Sequence, residues 1–347
     1  MLELRRRRVL GGLLAGAATA ALGPALRAQG TAETVDLEQA RAEGTVMLYT
    51  SLDTKIVDSI IGSFSEKYGI DVEYFRGGSA DVTSKVLAEA DAGRLQADIV
   101  DASDVAALML MKERGILKPY RSASTESVPA DLRDPDDYWV ADRLTQAVIQ
   151  YNTQEVANPP ATWQDLTAPE YQGRLAFFSS SNGDGAPRLY TLAQHFGWEL
   201  LEQLAATEPL RVQTPQLVTQ VLESGERGAA FATNDNIAWR SKLEGKPTDF
   251  VYPAEGVPTE LGAVGLIEGS ARPTAAMLFY DWWMGDEGQA LLVEGGKYSS
   301  RTDLAPPKGS PPLSELNLLL LDYAEYQENR TDILEQMADT FGGEWGV

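Results

Sequence analysis

Apolar positions recur along the chain in runs of strand length and stripes of helical period, separated by polar turns. Thr45-Val46-Met47-Leu48-Tyr49 reads as a strand, and residues 54–68 set Ile56, Val57, Ile60, Ile61 and Phe64 on one helical stripe that Gly69 ends. Residues 71–75 predict the next strand, and residues 81–92 a helix with Val82, Val86 and Leu87 inward, closed by Gly93. Residues 97–100 and 105–114 repeat the unit a third time. Alternation of this kind predicts an α/β fold built on parallel, doubly wound sheets.

A second series follows. Arg174-Leu175-Ala176-Phe177-Phe178 predicts a strand, and Pro187 suits the first turn of the helix after it. Gly228-Ala229-Ala230-Phe231-Ala232 predicts another, leading to a helix that carries Trp239 and Arg240. Two series predict two lobes with a cleft between them. The chain crosses between lobes in extended segments at 147–152 and 250–253, with Tyr151 and Tyr252 as hinge residues, and returns through 262–267 and a helix over 275–283. The expected organisation is lobe 1 over 29–148 and 254–308, lobe 2 over 149–253, and a C-terminal helical tail over 309–347. The Pro-rich stretch 305–313 is expected to link the tail, which is read as helical through Leu316, Leu320 and Tyr323 and as a clamp across both lobes.

Open α/β sheets bind ligands beyond the carboxyl ends of their strands. The turns there hold Thr50, Ser51 and Asp53; Gly78 and Ser79; Asp101 and Ser103; Ser180, Ser181 and Asn182; and Thr233, Asn234 and Asp235. Each leads into a helix N-terminus, whose free N–H groups and dipole favour an anion or a polar oxygen. The same residue types are ordinary N-caps, and Asp53 and Asp104 stand where caps are expected. Arg76, Arg143 and Arg188 lie close enough in sequence to these turns to supply a counter-charge for an anionic or zwitterionic solute, phosphorylated or not. Asp53, Asp101 and Asp235 point the other way, toward an amine that Tyr74, Phe75 or Trp239 would stack on.

Composition narrows the chemistry. Arg5-Arg6-Arg7-Arg8-Val9-Leu10, an apolar Gly/Ala-rich stretch and Ala28 make residues 1–28 an expected export signal of twin-arginine type, placing the mature chain in the periplasm. The sequence has no Cys, which removes disulfides, thiolate metal sites and lipidation at the cleavage point, so a soluble monomer is expected. Its single histidine, His195, falls in a helical stretch with no Gly-x-Ser-x-Gly elbow anywhere, so it reads as a helix residue rather than a triad member. A secreted hydrolase would have to rely on Ser79 or the 179–181 serines with an acidic partner. Without residues 1–28 the formal charge moves from −22 to about −26, a surface that repels nucleic acid and anionic lipid.

Val46-Met47-Leu48-Tyr49-Thr50-Ser51, Gln96-Ala97-Asp98-Ile99-Val100, Trp163-Gln164-Asp165-Leu166, Tyr171-Gln172-Gly173-Arg174, Gly285-Asp286-Glu287-Gly288-Gln289 and Arg301-Thr302-Asp303-Leu304 stand in an order that resembles the ferric-iron-binding type of periplasmic solute-binding protein. The resemblance spans nearly all of residues 44–310. It implies a type II periplasmic binding protein fold, two lobes joined by strands, that closes on a solute and docks transiently on an ABC permease, with no cofactor and no catalysis. An extracytoplasmic sensor subunit would share the fold. Iron binders of the family commonly carry two adjacent tyrosines where this chain has Asn234-Asp235-Asn236, and many carry a histidine where it has Asp53. Ferric iron prefers anionic oxygen, so an organic solute is the favoured expectation, and Asp53 with Asp235 is the alternative metal pair.

Overall fold

Residue 53 is where the first long helix starts, because the Asp53 carboxylate accepts from the Lys55 amide, and residue 69 is where it stops, because Gly69 takes the left-handed conformation. Between them Ile56, Val57, Ile60 and Phe64 are buried on one face. The computed structural model describes residues 35–180 and 185–345. The expected export signal lies outside the described residues, as do Ser181 and Asn182.

The strands are β1 (Thr45–Thr50), β2 (Asp71–Arg76), β3 (Ile99–Ala102), β4 (Leu117–Lys118), β5 (Val140–Asn152), β6 (Leu175–Phe178), β7 (Leu210–Val212), β8 (Ala229–Asn234), β9 (Thr248–Val251), β10 (Val257–Ile267), β11 (Tyr298–Ser299) and β12 (Leu318–Leu320). The helices are α1 (Leu37–Glu43), α2 (Thr54–Tyr68), α3 (Ser79–Asp91), α4 (Val105–Glu113), α5 (Ala186–Phe196), α6 (Trp198–Ala206), α7 (Pro215–Glu223), α8 (Asp235–Leu243), α9 (Pro273–Met284), α10 (Asp286–Glu294), α11 (Tyr323–Glu328) and α12 (Arg330–Phe341).

The main strand path runs β2-β1-β3-β10-β5-β8-β6-β7. β1 pairs in parallel with β2 and β3, and β6 in parallel with β7 and β8, while β10 and β5 enter antiparallel. The sheet is therefore mixed where the returning strand meets each parallel set. β5 is the seam. Residues 140–146 pair with β10, and residues 147–152 pair with β8 and β9. Two apolar cores follow the same division: Leu144 and Leu261 belong to the first, Ala147 and Phe231 to the second. The handover thus falls at Gln146 and Ala147. Tyr151 lies in β5, paired with Asp249 on one side and Ala229 on the other. Tyr252 lies in the link between β9 and β10, half-buried.

The C-terminal segment corrects an expectation. Residues 318–320 form a strand, since Leu318 to Leu320 pair in parallel with Val257 to Thr259. A 3-10 turn at Leu313–Glu315 precedes it, and α-helix begins at Tyr323. Tyr323 packs against both cores, and α12 buries Ile333, Leu334 and Met337 in the second. Trp345 closes that core, with the Arg211 guanidinium 4.3 Å above its ring.

Candidate functional site

A cleft of about 730 Å³ lies between residues of the two cores. Among the described residues seven helix N-termini line it, one of them that of α12 through Arg330. From the first core come α2 through Asp53, α3 through Gly78 and Ser79, and α4 through Ser103 and Asp104. From the other side come α5 through Gly185 and Pro187, α8 through Asn234 and Asn236, and α7 through Thr214 and Pro215, α7 packing in a smaller third cluster with Ala176 and Ala230. Each end presents backbone N–H groups and the positive pole of its helix to the cleft.

Three buried cations reach the same space: Arg143, Arg188 and Lys297. Arg143 lies across β10 because its partner there is Gly262; any side chain at that position would overlap the guanidinium. One terminal nitrogen of Arg143 donates to Asp101 and Asp142, the other to the hydroxyls of Ser103 at 3.1 Å and Ser51 at 3.4 Å. Burial pulls the pKa of Arg143 down, but the two carboxylates outweigh burial and hold it above its ordinary value. Burial likewise lifts Asp142 to about 6. Arg188 is fastened to Glu260 and donates to the Ala232 carbonyl and to Asn234 Oδ1. Both arginines were expected as counter-charges, and both are buried with carboxylates of their own. Arg76 reaches the cleft at its rim, where it is exposed and donates to the Leu52 carbonyl at 3.2 Å.

Lys297 differs. Its ammonium donates to Thr145 Oγ1 at 2.9 Å and Asn236 Oδ1 at 3.0 Å, and among the described residues it forms no ion pair. Burial and the charge of Arg143 bring its pKa down to about 8, with Asp235 opposing. Gly296 makes the placement possible: it has φ of 87°, and a Cβ there would lie 2.6 Å from the Trp239 ring. Nothing in the sequence pattern marked Lys297, because it sits between two glycines and a two-residue strand.

Of the other sequence candidates, Ser51, Asp53, Gly78, Ser79, Ser103, Ser180 and Asn234 line the cleft. Ser79 Oγ is buried with no partner among the described residues. Thr50 lies beneath, donating to Asp101. Thr233 is buried and turned to the Val148 carbonyl, away from the cleft. Asp235 is also buried below it, accepting from the amides of Gln146 and Asn236 and from Tyr252 Oη at 3.3 Å; burial lifts its pKa to about 7. Asp53 faces Arg240 from α8 at 3.4 Å and so is not brought together with Asp235 as a metal pair. Asp104, like Asp53, caps its helix. His195 is an exposed helix residue whose ring meets the Thr191 carbonyl.

A two-core sheet folded around one polar cleft is the architecture of a solute carrier, and the family model for bacterial extracellular solute-binding proteins matches residues 96–329. The chain belongs to that family. Among solved structures it is similar to the periplasmic binding protein AfuA of Actinobacillus pleuropneumoniae with exogenous fructose-6-phosphate bound (TM-score 0.75, 21% identity, covering 86% of this chain and 98% of that one). It is also similar to the substrate binding protein of an ABC transporter from Agrobacterium tumefaciens (TM-score 0.78, 18% identity, 88% and 97%). The Fe(3+)-binding periplasmic protein of Serratia marcescens is 23% identical over 92% of this chain and 97% of its own. The fold is thus the type II periplasmic binding protein fold shared with the ferric-iron-binding relatives of this solute-binding family. Among the described residues no helix is long and apolar enough to cross a membrane.

Proposed function

We propose that this solute-binding protein is the periplasmic component of an ABC importer and that its cargo is a small organic oxyanion, a phosphate monoester above all. The observation that carries the reading is the meeting, at one cleft, of the N-termini of α5 and α7, whose first turns hold no acid, with the buried Lys297, an arrangement that solvates an oxyanion with backbone donors and one ammonium. Iron as cargo fits the same residues poorly. Among the described residues no cluster of three or more His, Asp or Glu could hold a metal ion. Tyr298 is buried and Tyr252 half-buried, both outside the cleft lining, and burial raises both pKa values, that of Tyr298 to about 12, away from a phenolate.

The two walls also differ in a way that orients such a cargo. Asp53, Asp81 and Asp104 on the first wall accept hydrogen bonds from hydroxyls, while the second wall offers α5 and α7, whose first turns hold no acid. A sugar-like body lies against the first wall and its phosphate against the second. Among the described residues, 35–146 with 254–308 make one lobe and the chain from 147 to 253 the other. Closure pivots about residues 145–147 of β5 and draws Asp53 and Arg240 together across the cleft. Cargo that contacts both walls favours the closed form by that difference in contacts.

The test is thermal denaturation of residues 29–347 with fructose 6-phosphate, glycerol 3-phosphate, fructose, ferric citrate and putrescine. A phosphate monoester at a hundred times its Kd stabilises by about 2.7 kcal/mol, a midpoint rise on the order of 5 °C. Stabilisation by ferric citrate or putrescine, with none by the phosphates, would overturn the reading.

A further inference from the structure

Among the described residues Lys297 is a buried cation with no ion-pair partner. It is 7% exposed, and its ammonium has three N–H groups, two of them directed to the neutral oxygens of Thr145 and Asn236. The charged groups around it are committed elsewhere. From β5, Arg143 is held by Asp101 and Asp142; from α5, Arg188 is held by Glu260 of β10; from α8, Asp235 accepts from Gln146, Asn236 and Tyr252. Glu260 and Asp235 therefore attract the ammonium from a distance, while Arg143 and Arg188 repel it. A buried ammonium so placed is costly unless an anion joins it, and the side open to one is the cleft that Lys297 lines.

Resting on the oxyanion reading of the cleft, we propose that Lys297 is the group that reads the charge of the cargo: it selects a dianionic phosphate, and capture fixes a proton on its amine. A phosphate monoester above pH 7 carries about two negative charges, against one for a carboxylate. The dianion supplies the partner that the fold withholds from the ammonium and raises its pKa from the depressed value of the free protein. Above about pH 8 the free amine has lost its proton, so capture must take one from solvent. Affinity for the dianion then falls by about tenfold for each further pH unit, until the pKa of the bound form is reached. Arginine at this position stays charged throughout and removes that dependence.

The experiment uses residues 29–347 labelled with [15N,13C]lysine, titrated between pH 6 and 11 with and without inorganic phosphate. Lys297→Met identifies the resonance by its absence, and Lys297→Arg is titrated in parallel by calorimetry against fructose 6-phosphate. The expected result is an amine that titrates near 8 in the free protein and rises by at least about one unit with inorganic phosphate. With it, affinity for fructose 6-phosphate drops at least about thirtyfold in Lys297→Met, and loses its alkaline pH dependence in Lys297→Arg. An amine that titrates like a free lysine, or that inorganic phosphate does not move, would overturn the proposal. Fructose 6-phosphate binding Lys297→Met as tightly as wild type would leave the cargo reading standing and remove Lys297 from it. A Lys297 that responds to inorganic phosphate, in a protein that no phosphate monoester stabilises, would do the reverse.

Discussion

The two walls of the cleft are built from the same device and finished in opposite ways. On the first, every helix N-terminus carries its own carboxylate: Asp53 accepts from Lys55 N, Asp104 from Ala106 N, and Asp81 from Gly78 N. On the second, Gly185 and Asn234 make no side-chain cap, Thr214 caps α7 with a neutral hydroxyl, and the one acid of a first turn, Asp235, is turned beneath the floor. A carboxylate at a cap answers the helix dipole internally, so the first wall is electrostatically closed to an anion. On the second wall α5 and α7 carry no such carboxylate, and Lys297 stands at its foot with a bond to Asn236. The same turn chemistry therefore serves stability on one side and recognition on the other.

The largest expected effect comes from breaking the seam that both walls share. Gly262→Val pushes a side chain into the Arg143 guanidinium, which can give way only by leaving Asp101 and Asp142. A loss of about 3 kcal/mol is expected, read as a lowered denaturation midpoint by circular dichroism. Making the second wall resemble the first is the next test. Asn234→Asp adds a carboxylate where the anion is to lie, and calorimetry with fructose 6-phosphate should show affinity falling by about thirtyfold.

A third test uses pH. The Asp235 carboxyl is raised to about 7 in the folded protein against an ordinary value near 3.9 when unfolded, so the folded form binds the extra proton between the two. Stability contributed by this group is present below about pH 4 and is lost as pH rises through about 7. Asp142, raised to about 6, acts with the same sign. The slope owed to one group is at most about 1.4 kcal/mol per pH unit, and Asp235→Asn should flatten the fall in denaturation midpoint between pH 4 and 7. The smallest effect belongs to the first wall: Asp104→Ala removes a cap and should cost about 1 kcal/mol in urea denaturation.

The alternation of strands and helices was legible because its signals are local. The stripe from Ile56 to Phe64, with Asp53 before it and Gly69 after it, marks α2 from within a dozen or so residues. The polar turns were legible for the same reason, and most of them do reach the cleft. What they do there was not legible, since a cap and a ligand contact call for the same residue types, and Asp53, Asp81, Asp104 and Asp235 turned out to answer their own helices. Leu318–Leu320 read as helix because its leucines also satisfy a helical spacing, and its strand character comes from β10, some sixty residues away in sequence. Lys297 was hidden for a related reason. Its burial comes from Thr145, Asn236 and the Trp239 ring beside Gly296, all contributed by other parts of the chain.

The account rests on an organic phosphate, rather than iron or an amine, lying between these walls. Native mass spectrometry of the mature protein isolated from its own periplasm, with iron and phosphorus measured on the same sample, tests this most directly. One organic, phosphorus-containing mass per chain that leaves on denaturation, without iron, is the expected result. Iron at one per chain, with no phosphorus, would contradict it.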